Sequence, residues 1–282
     1  MYWIHFTALV FYRILRGVFM EKILFIGGDS RIIYAMHYLK SKGFSVDSYG
    51  LFENDCGNTE KADIIVFPVP ATKDGLTVNC PLTDKIIPFS DIENTLKGKK
   101  IFAGGKIPIN EPYTNYCDND YYAVLNAVPT AEGAISFCIE NTPYTLFKSK
   151  ILIIGNGRVA KVLISRLKAF KCDITVSARK PLDFALIESE GLKYINTSYV
   201  PICAKDFDII INTVDINLLD TSNLTKDVLL VDLSSKGCID YKSIENSGFR
   251  VYKLPGIPGK TAPETAGIIL AKTLSSFIDN NE

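Results

Sequence analysis

The chain has 282 residues, 47% of them hydrophobic and 22% charged, and its 31 basic and 31 acidic side chains cancel to zero formal charge. That composition describes an ordinary globular protein of one or two domains, and without a long run of one sign it argues against a nucleic-acid groove or a polybasic membrane patch. Two histidines and seven scattered cysteines with no C-x-x-C pair argue against a metal site, a disulfide framework and a histidine-based triad, and fit reduced cytosolic thiols.

Residues 1–19, MYWIHFTALVFYRILRGVF, are apolar and aromatic but broken by Arg13 and Arg16. The segment lacks the charged start and cleavage site of a secretory signal and is too short and interrupted for a spanning helix. Met20 opens MEKILFIGGDSR, as a cytosolic α/β chain does. Residues 1–19 are therefore read as lying upstream of the start, with a membrane-surface anchor as the alternative.

From there strands and glycine turns alternate. Lys22–Ile26 reads as a strand, Gly27-Gly28-Asp29-Ser30-Arg31 as a turn, and a helix follows with Ile32, Ile33, Met36 and Leu39 inward and Gly43 as its C′ residue. Strands at Ser45–Tyr49, Ile64–Phe67 and Ile101–Ala103 continue the pattern, so residues 20–128 are expected to form a parallel sheet with crossover helices. The Gly28 turn lacks a full G-x-G-x-x-G and reads as a substrate-facing anion nest. Pro129-Thr130-Ala131-Glu132-Gly133 is expected to start a bridging helix running to about Asn141, within a connecting segment 129–147.

Residues 148–254 form a second unit, with strands expected near Ile151, Ile174, Ile209, Leu229 and Val251. Its opening, ILIIGNGRVA (Ile151–Ala160), runs an apolar strand into G-x-G-x-x-A. Gly155 permits the tight turn, Gly157 lets a pyrophosphate approach the backbone, and Ala160 keeps the new helix close to the sheet. With Asn156, Arg158 and Val159, these residues point to a dinucleotide on a helix N-terminus. Where an NAD protein presents an acid to the ribose, this chain has Ser177, Ala178, Arg179 and Lys180. A guanidinium and a hydroxyl suit a 2′-phosphate, which favours NADP; two solvated surface cations are the plainer reading. Lys253–Pro263, KLPGIPGKTAP, reads as a rigid cleft loop, and Glu264 to about Ile278 as a helix, so that residues 255–282 return to the first domain. The expected fold is α/β: two Rossmann-like parallel-sheet domains with a cleft between them and a C-terminal helix packed back on the first.

Across residues 20–282 the chain resembles one family, the A subunit of dipicolinate synthase from spore-forming bacteria. The resemblance rests on IGGDSR (Ile26–Arg31), NAVPTAEGAI (Asn126–Ile135), GNGRVA, VSAR (Val176–Arg179), INT (Ile211–Thr213), VDLSSKG (Val231–Gly237) and LPGIPGKTAPETAG (Leu254–Gly267). It implies a cytoplasmic enzyme of the sporulating mother cell that converts 4-hydroxy-tetrahydrodipicolinate to dipicolinate with NADP, together with a flavoprotein-like B subunit. A homo-oligomer is left open.

That chemistry needs partners for two carboxylates and a group to move a proton. Asp29, Ser30 and Arg31, Lys73, Thr130, Lys236, Gly256, Gly259 and Thr261 are the candidates for the substrate. Surface charge is the competing account for Arg31 and Lys236, and Thr130 and Thr261 could equally cap a helix or turn. Glu132 and Asp232 are the acid–base candidates; a helix-dipole role for the first and a turn or cap for the second compete with catalysis. Asn212 and Thr213 are expected at the nicotinamide ribose. Two other classes stay open: a non-catalytic NADP-binding protein that regulates or scaffolds the synthase, and an amino-acid or 2-hydroxy-acid dehydrogenase.

Overall fold

The structure is a computed structural model that describes residues 21–244 and 247–279. The expectation for residues 1–19 lies outside the described residues. The described residues divide into two compact units, one made of those up to Leu125 together with those from Ala262 on, the other of those within Asn126–Thr261. The helices used below are α1 (Ser30–Ser41), α2 (Asp120–Glu140), α3 (Arg158–Ala169), α4 (Pro181–Ser189), α5 (Ile257–Thr261) and α6 (Pro263–Asp279).

In the first unit, β1 (Lys22–Ile26), β2 (Ser45–Tyr49), β3 (Ile64–Val66), β4 (Lys100–Ala103) and β5 (Thr114–Asn115) form one parallel sheet in the order β2-β1-β3-β4-β5. A parallel sheet buries both faces, which is why β1 and β3 are unbroken apolar runs. Ile23, Phe25, Ile64, Val66 and Phe102 pack under α1 and α6, and Leu24, Ile26, Ile65, Phe67 and Ile101 face the opposite layer. Each fully buried aliphatic side chain of this kind contributes about 1.5–3 kcal/mol. α1 starts at Asp29, whose carboxylate accepts from the Arg31 N–H, and ends before Gly43, which takes φ +85°. α6 lies directly on α1, because a Cβ on Gly267 would come 2.3 Å from the Arg31 carbonyl oxygen.

In the second unit, β6 (Lys150–Ile154), β7 (Asp173–Ala178), β8 (Lys193–Asn196), β9 (Ile209–Asn212), β10 (Leu229–Asp232) and β11 (Arg250–Lys253) form a second parallel sheet, in the order β11-β10-β9-β6-β7-β8. Taken from the β8 edge this is the doubly wound order 3-2-1-4-5-6. Ala160, Leu163, Ile164 and Leu167 of α3 repeat at helical spacing and pack on Ile151, Ile153, Ile209 and Ile211.

Four details differ from the sequence expectation. β5 and β8 are additional strands, both at sheet edges. The helix expected from Pro129 begins at Asp120, capped by the Asn119 side chain, which accepts from the Tyr122 N–H at 3.0 Å. Pro129 lies inside it, where it has no N–H to donate to the preceding turn. The Gly/Pro-rich stretch after β11 contains a helical turn, α5, rather than loop throughout. α2 alone among the described helices is long and apolar enough to cross a membrane, with 21 residues and mean hydropathy 1.2, and 44% of that window is buried in the protein. Its Ala131, Ala134, Ile135 and Cys138 belong to the core of the second unit.

Candidate functional site

The strand order of the second sheet reverses at β6, which pairs with β7 on one side and β9 on the other. Open α/β sheets bind ligands beyond the carboxyl ends of the strands at such a reversal. Two loops meet there. Gly155 leaves β6 at φ +104°, and a Cβ on it would strike Val214 Cγ1 at 2.6 Å and Thr213 Oγ1 at 2.7 Å. Glycine is required at that position twice over, by backbone angle and by space.

Gly157 is the opposite case. It has an ordinary φ of −83°, and a Cβ there would meet nothing within 4 Å. It is also the N-cap of α3 and brings no side-chain acceptor to the helix N–H groups. The outcome is an open volume faced by the N–H groups and positive end of a twelve-residue helix. No steric rule of the protein keeps Gly157 a glycine, so the open volume fits a phosphate group that needs it.

Asn156 turns its side chain outward from this loop and donates from Nδ2 to Asp183 Oδ1 at 3.1 Å, in the first turn of α4. Arg158 and Val159 open α3. At the end of β7 the candidates for the 2′ end separate. Ser177 is fully buried, its Oγ 3.4 Å from Thr197 Oγ1, and Ala178 is buried as well. Arg179 and Lys180 are exposed, and no hydrogen bond or ion pair joins either side chain to another described residue. The Ser177 hydroxyl is therefore not a surface group, which corrects its expected contact with a phosphate.

Strand-end residues line up across the sheet, Ser177 beside Ile154, Ile154 beside Asn212, and Asn212 beside Asp232. Asn212 is fully buried, donating to Val214 O and to Asp232 Oδ1 at 2.8 and 2.9 Å. Thr213 Oγ1 donates to Ile154 O at 2.8 Å. Thr213 thus ties the β9 loop to β6 and Asn212 ties it to β10, so what both present outward is backbone.

Asp232 is also fully buried. Its Oδ1 accepts from Asn212 Nδ2, Ser234 N and Ser234 Oγ, and its Oδ2 accepts from Cys238 N and the Tyr241 hydroxyl. Burial opposes its ionisation, and the hydrogen bonds from Ser234, Tyr241 and Asn212 outweigh that, leaving its carboxyl below the usual range. In turn, burial and this carboxylate push the Tyr241 hydroxyl well up. A carboxylate with every acceptor direction used holds the loop after β10 in shape and does not exchange protons with a ligand. The acid–base role expected for Asp232 is corrected accordingly.

Glu132 sits mid-helix in α2 rather than in a first turn, so the helix-dipole explanation lapses. It is exposed and reaches Arg166 Nε of α3 at 3.5 Å, a weak pair at that exposure. Thr130 Oγ1 bonds back to Asn126 O at 2.8 Å, and Thr261 Oγ1 to Ile257 O at 3.0 Å. A Cβ on Gly133 would come 2.7 Å from the same Thr261 hydroxyl, so α5 is pressed onto α2. Gly259 N is used inside that turn, on Gly256 O, while Gly256 itself is exposed at φ +67°. Lys236 is exposed, its N–H fixed by Asp215 at 2.8 Å. One residue not expected at the site is Asn126, the first of the NAVPTAEGAI stretch, whose Oδ1 is buried without a partner among the described residues.

The first sheet has its own reversal between β1 and β3. Gly27 and Gly28 turn there at φ +70° and +110°. Arg31, 7% exposed, is gripped by Asp29 through Nε and Nη2 at 2.7–3.1 Å, and its Nη2 also donates to Val69 O after β3. The guanidinium thus ties the β1 loop to the β3 loop, with Asp29 as its counter-ion and Ser30 between them at the start of α1. A bidentate grip on a substrate carboxylate through those two nitrogens is not open to it. Lys73 is exposed in the same long loop, next to an Asp74 whose carboxylate accepts from Leu76 N and Thr77 N at 2.8 Å.

Comparison with known proteins agrees with this architecture. Residues 22–124 match the family described as the N-terminal domain of the dipicolinate synthase A subunit. The A subunit of dipicolinate synthase from Bacillus subtilis (strain 168) is 29% identical over 287 residues, covering 91% of this chain and 95% of that protein. The crystal structure of the B. subtilis A chain superimposes with TM-score 0.80 at 28% identity, covering 93% of this chain and 97% of that one. That of the A subunit from Bacillus halodurans gives TM-score 0.82 at 24% identity, covering 91% and 97%. A transhydrogenase from Sinorhizobium meliloti shares the fold alone, at TM-score 0.61 and 15% identity over 92% of this chain and 93% of that one. Along both units the chain resembles the A subunit of dipicolinate synthase.

Proposed function

We propose, with the resemblance to the dipicolinate synthase A subunit as premise, that this chain is an NADP-dependent oxidoreductase acting on 4-hydroxy-tetrahydrodipicolinate. The product is dipicolinate, formed by loss of water and of two hydrogens, in the cytoplasm of the sporulating mother cell and together with a separate B subunit. The observation that carries the reading is Gly157: a glycine that nothing in the protein requires, beside open space at the uncapped start of α3.

Backbone N–H groups from Gly155 to Val159 would hold the pyrophosphate, and Arg179 with Lys180 the 2′-phosphate, which is why NADP is preferred to NAD. NADP held there would supply the hydride acceptor that aromatisation needs. Much of the protein's contribution is then positioning, worth about 7–11 kcal/mol when donor and acceptor are held in line. Thr213 and Asn212 shape the backbone near the nicotinamide end, and Asp232 keeps that backbone in place. Lys236 and the N–H groups around Gly256 are offered to the substrate carboxylates. Glu132 is the exposed carboxylate left to take up a proton.

One observation favours a second reading. Asp232 and Thr261 spend their side chains internally, which leaves few acid–base groups and suits a non-catalytic NADP-binding protein. Mixing the purified protein with NADP or NAD and the cyclic substrate, with and without the B subunit, separates the two. Reduced NADP appearing together with dipicolinate supports the enzyme; bound NADP that is never reduced supports the scaffold.

A further inference from the structure

We infer that Asp183 is a positioning residue for the dinucleotide, acting through Asn156 to hold the phosphate loop in the shape that receives a pyrophosphate. The inference deepens the NADP reading above and rests on it. On one side of the loop Val214 and Thr213 close on Gly155, whose N–H also donates to Ser177 O at 3.0 Å. On its other side Gly157 faces open space and makes no such contact. Between them stands Asn156, and the hydrogen bond from its Nδ2 to Asp183 Oδ1 at 3.1 Å ties the loop to a residue 27 positions away. Asp183 lies in the first turn of α4, and Arg179 and Lys180 directly precede that helix. A partly buried side-chain hydrogen bond therefore joins the loop proposed to take the pyrophosphate to the helix that follows the two cations.

The carboxylate has two opposed effects. Its negative charge beside a phosphate-binding loop works against any dinucleotide, and more against NADP, which carries the extra phosphate. Its oxygen restrains Asn156 and so favours both dinucleotides alike. Substitution separates these effects, because Asp183→Asn removes the charge and keeps an acceptor, whereas Asp183→Ala removes both.

The test titrates the full-length protein with NADP and with NAD by calorimetry, for the unaltered chain, Asp183→Asn and Asp183→Ala, each also combined with Asn156→Ala. We expect Asp183→Asn to bind both dinucleotides at least as tightly as the unaltered chain. Asp183→Ala is expected to bind about three- to tenfold more weakly than Asp183→Asn, by the same factor for NADP and NAD, the range for losing one partly exposed hydrogen bond. In the Asn156→Ala background the two variants become equal, which a general loss of stability would not produce. In the unliganded protein the amide resonance of Gly157 is expected to shift in Asp183→Ala and to stay in place in Asp183→Asn. Equal binding by the two variants beside an intact Asn156 overturns the inference, as does a difference that survives Asn156→Ala. A loss confined to NAD overturns it as well, since it would make Asp183 a direct ribose ligand. If the unaltered chain binds neither dinucleotide, the NADP reading falls and this inference with it; the other outcomes leave that reading standing.

Discussion

Replacing Gly157 by alanine puts the cofactor reading to a quantitative test, because the substitution is almost silent in the free protein. Alanine accepts φ −83°, and its Cβ would meet no heavy atom within 4 Å. The remaining cost is that of alanine rather than glycine at an N-cap, about 0.5–1 kcal/mol. For a unit of this size that moves the melting temperature by roughly 3 °C or less. The new methyl group occupies the space the pyrophosphate is proposed to use. If it displaces the phosphate far enough to break one N–H to oxyanion bond, the loss is about 1.5–3 kcal/mol, or roughly ten- to 150-fold in affinity. Calorimetric titration with NADP, alongside a thermal melt, measures both quantities. Gly155→Ala is the contrasting control: its Cβ would overlap Val214 and Thr213 and it must keep φ +104°, so the melt itself should collapse by several degrees. Tight NADP binding by Gly157→Ala at unchanged stability would refute the placement of the pyrophosphate.

Arg179→Ala should weaken NADP about ten- to a hundredfold and leave NAD within about twofold, since one charge-assisted bond to the 2′-phosphate is removed; parallel titrations with the two dinucleotides check it. Asp232→Asn should destabilise the second unit by about 2–4 kcal/mol at pH 7, because the buried network loses its charged acceptor. The carboxyl of Asp232 is depressed in the folded state, so its contribution is fully present above the unfolded value near about 4 and is lost as pH falls through the lower folded value. Urea unfolding at pH 7 and at pH 3 should show the gap between the unaltered protein and Asp232→Asn shrinking at the acid end. Gly267→Ala should lower the stability of the first unit by about 1–3 kcal/mol, since its Cβ would sit 2.3 Å from the Arg31 carbonyl oxygen; a thermal melt reads this directly.

The parts of the fold that were legible in the sequence are those governed by backbone and period. The apolar runs Lys22–Ile26 and Lys150–Ile154 emerged as central strands, because a strand covered on both faces has no polar alternation to confuse it with a helix segment. GNGRVA was readable because Gly155 meets a steric demand that only glycine satisfies. β8 was not, since its residues, KYIN, are partly exposed at an edge and carry no apolar run. The start of α2 was misplaced because Pro129 resembles a helix beginning, whereas the cap is Asn119, well upstream in the polar run CDND. Side-chain direction was the least legible. Ser177 and Arg179 stand two residues apart, yet one ends inside the strand row and the other leaves it. Asn212 and Asp232 become hydrogen-bond partners only through the register that sets β9 beside β10. Asp183 is unmarked in the sequence for the same reason: its link to Asn156 spans 27 residues and follows from tertiary packing alone.

The proposed oxidation of a cyclic imine dicarboxylate with NADP yields two products that can be followed at once. The most direct measurement follows the absorbance of reduced nicotinamide and the ultraviolet bands of dipicolinate together, with purified protein, NADP and 4-hydroxy-tetrahydrodipicolinate, in the presence and absence of the B subunit. Equal amounts of reduced NADP and dipicolinate are expected, with NAD a poorer acceptor. Dipicolinate formed at the same rate without any dinucleotide, or NADP bound but never reduced even beside the B subunit, would contradict it.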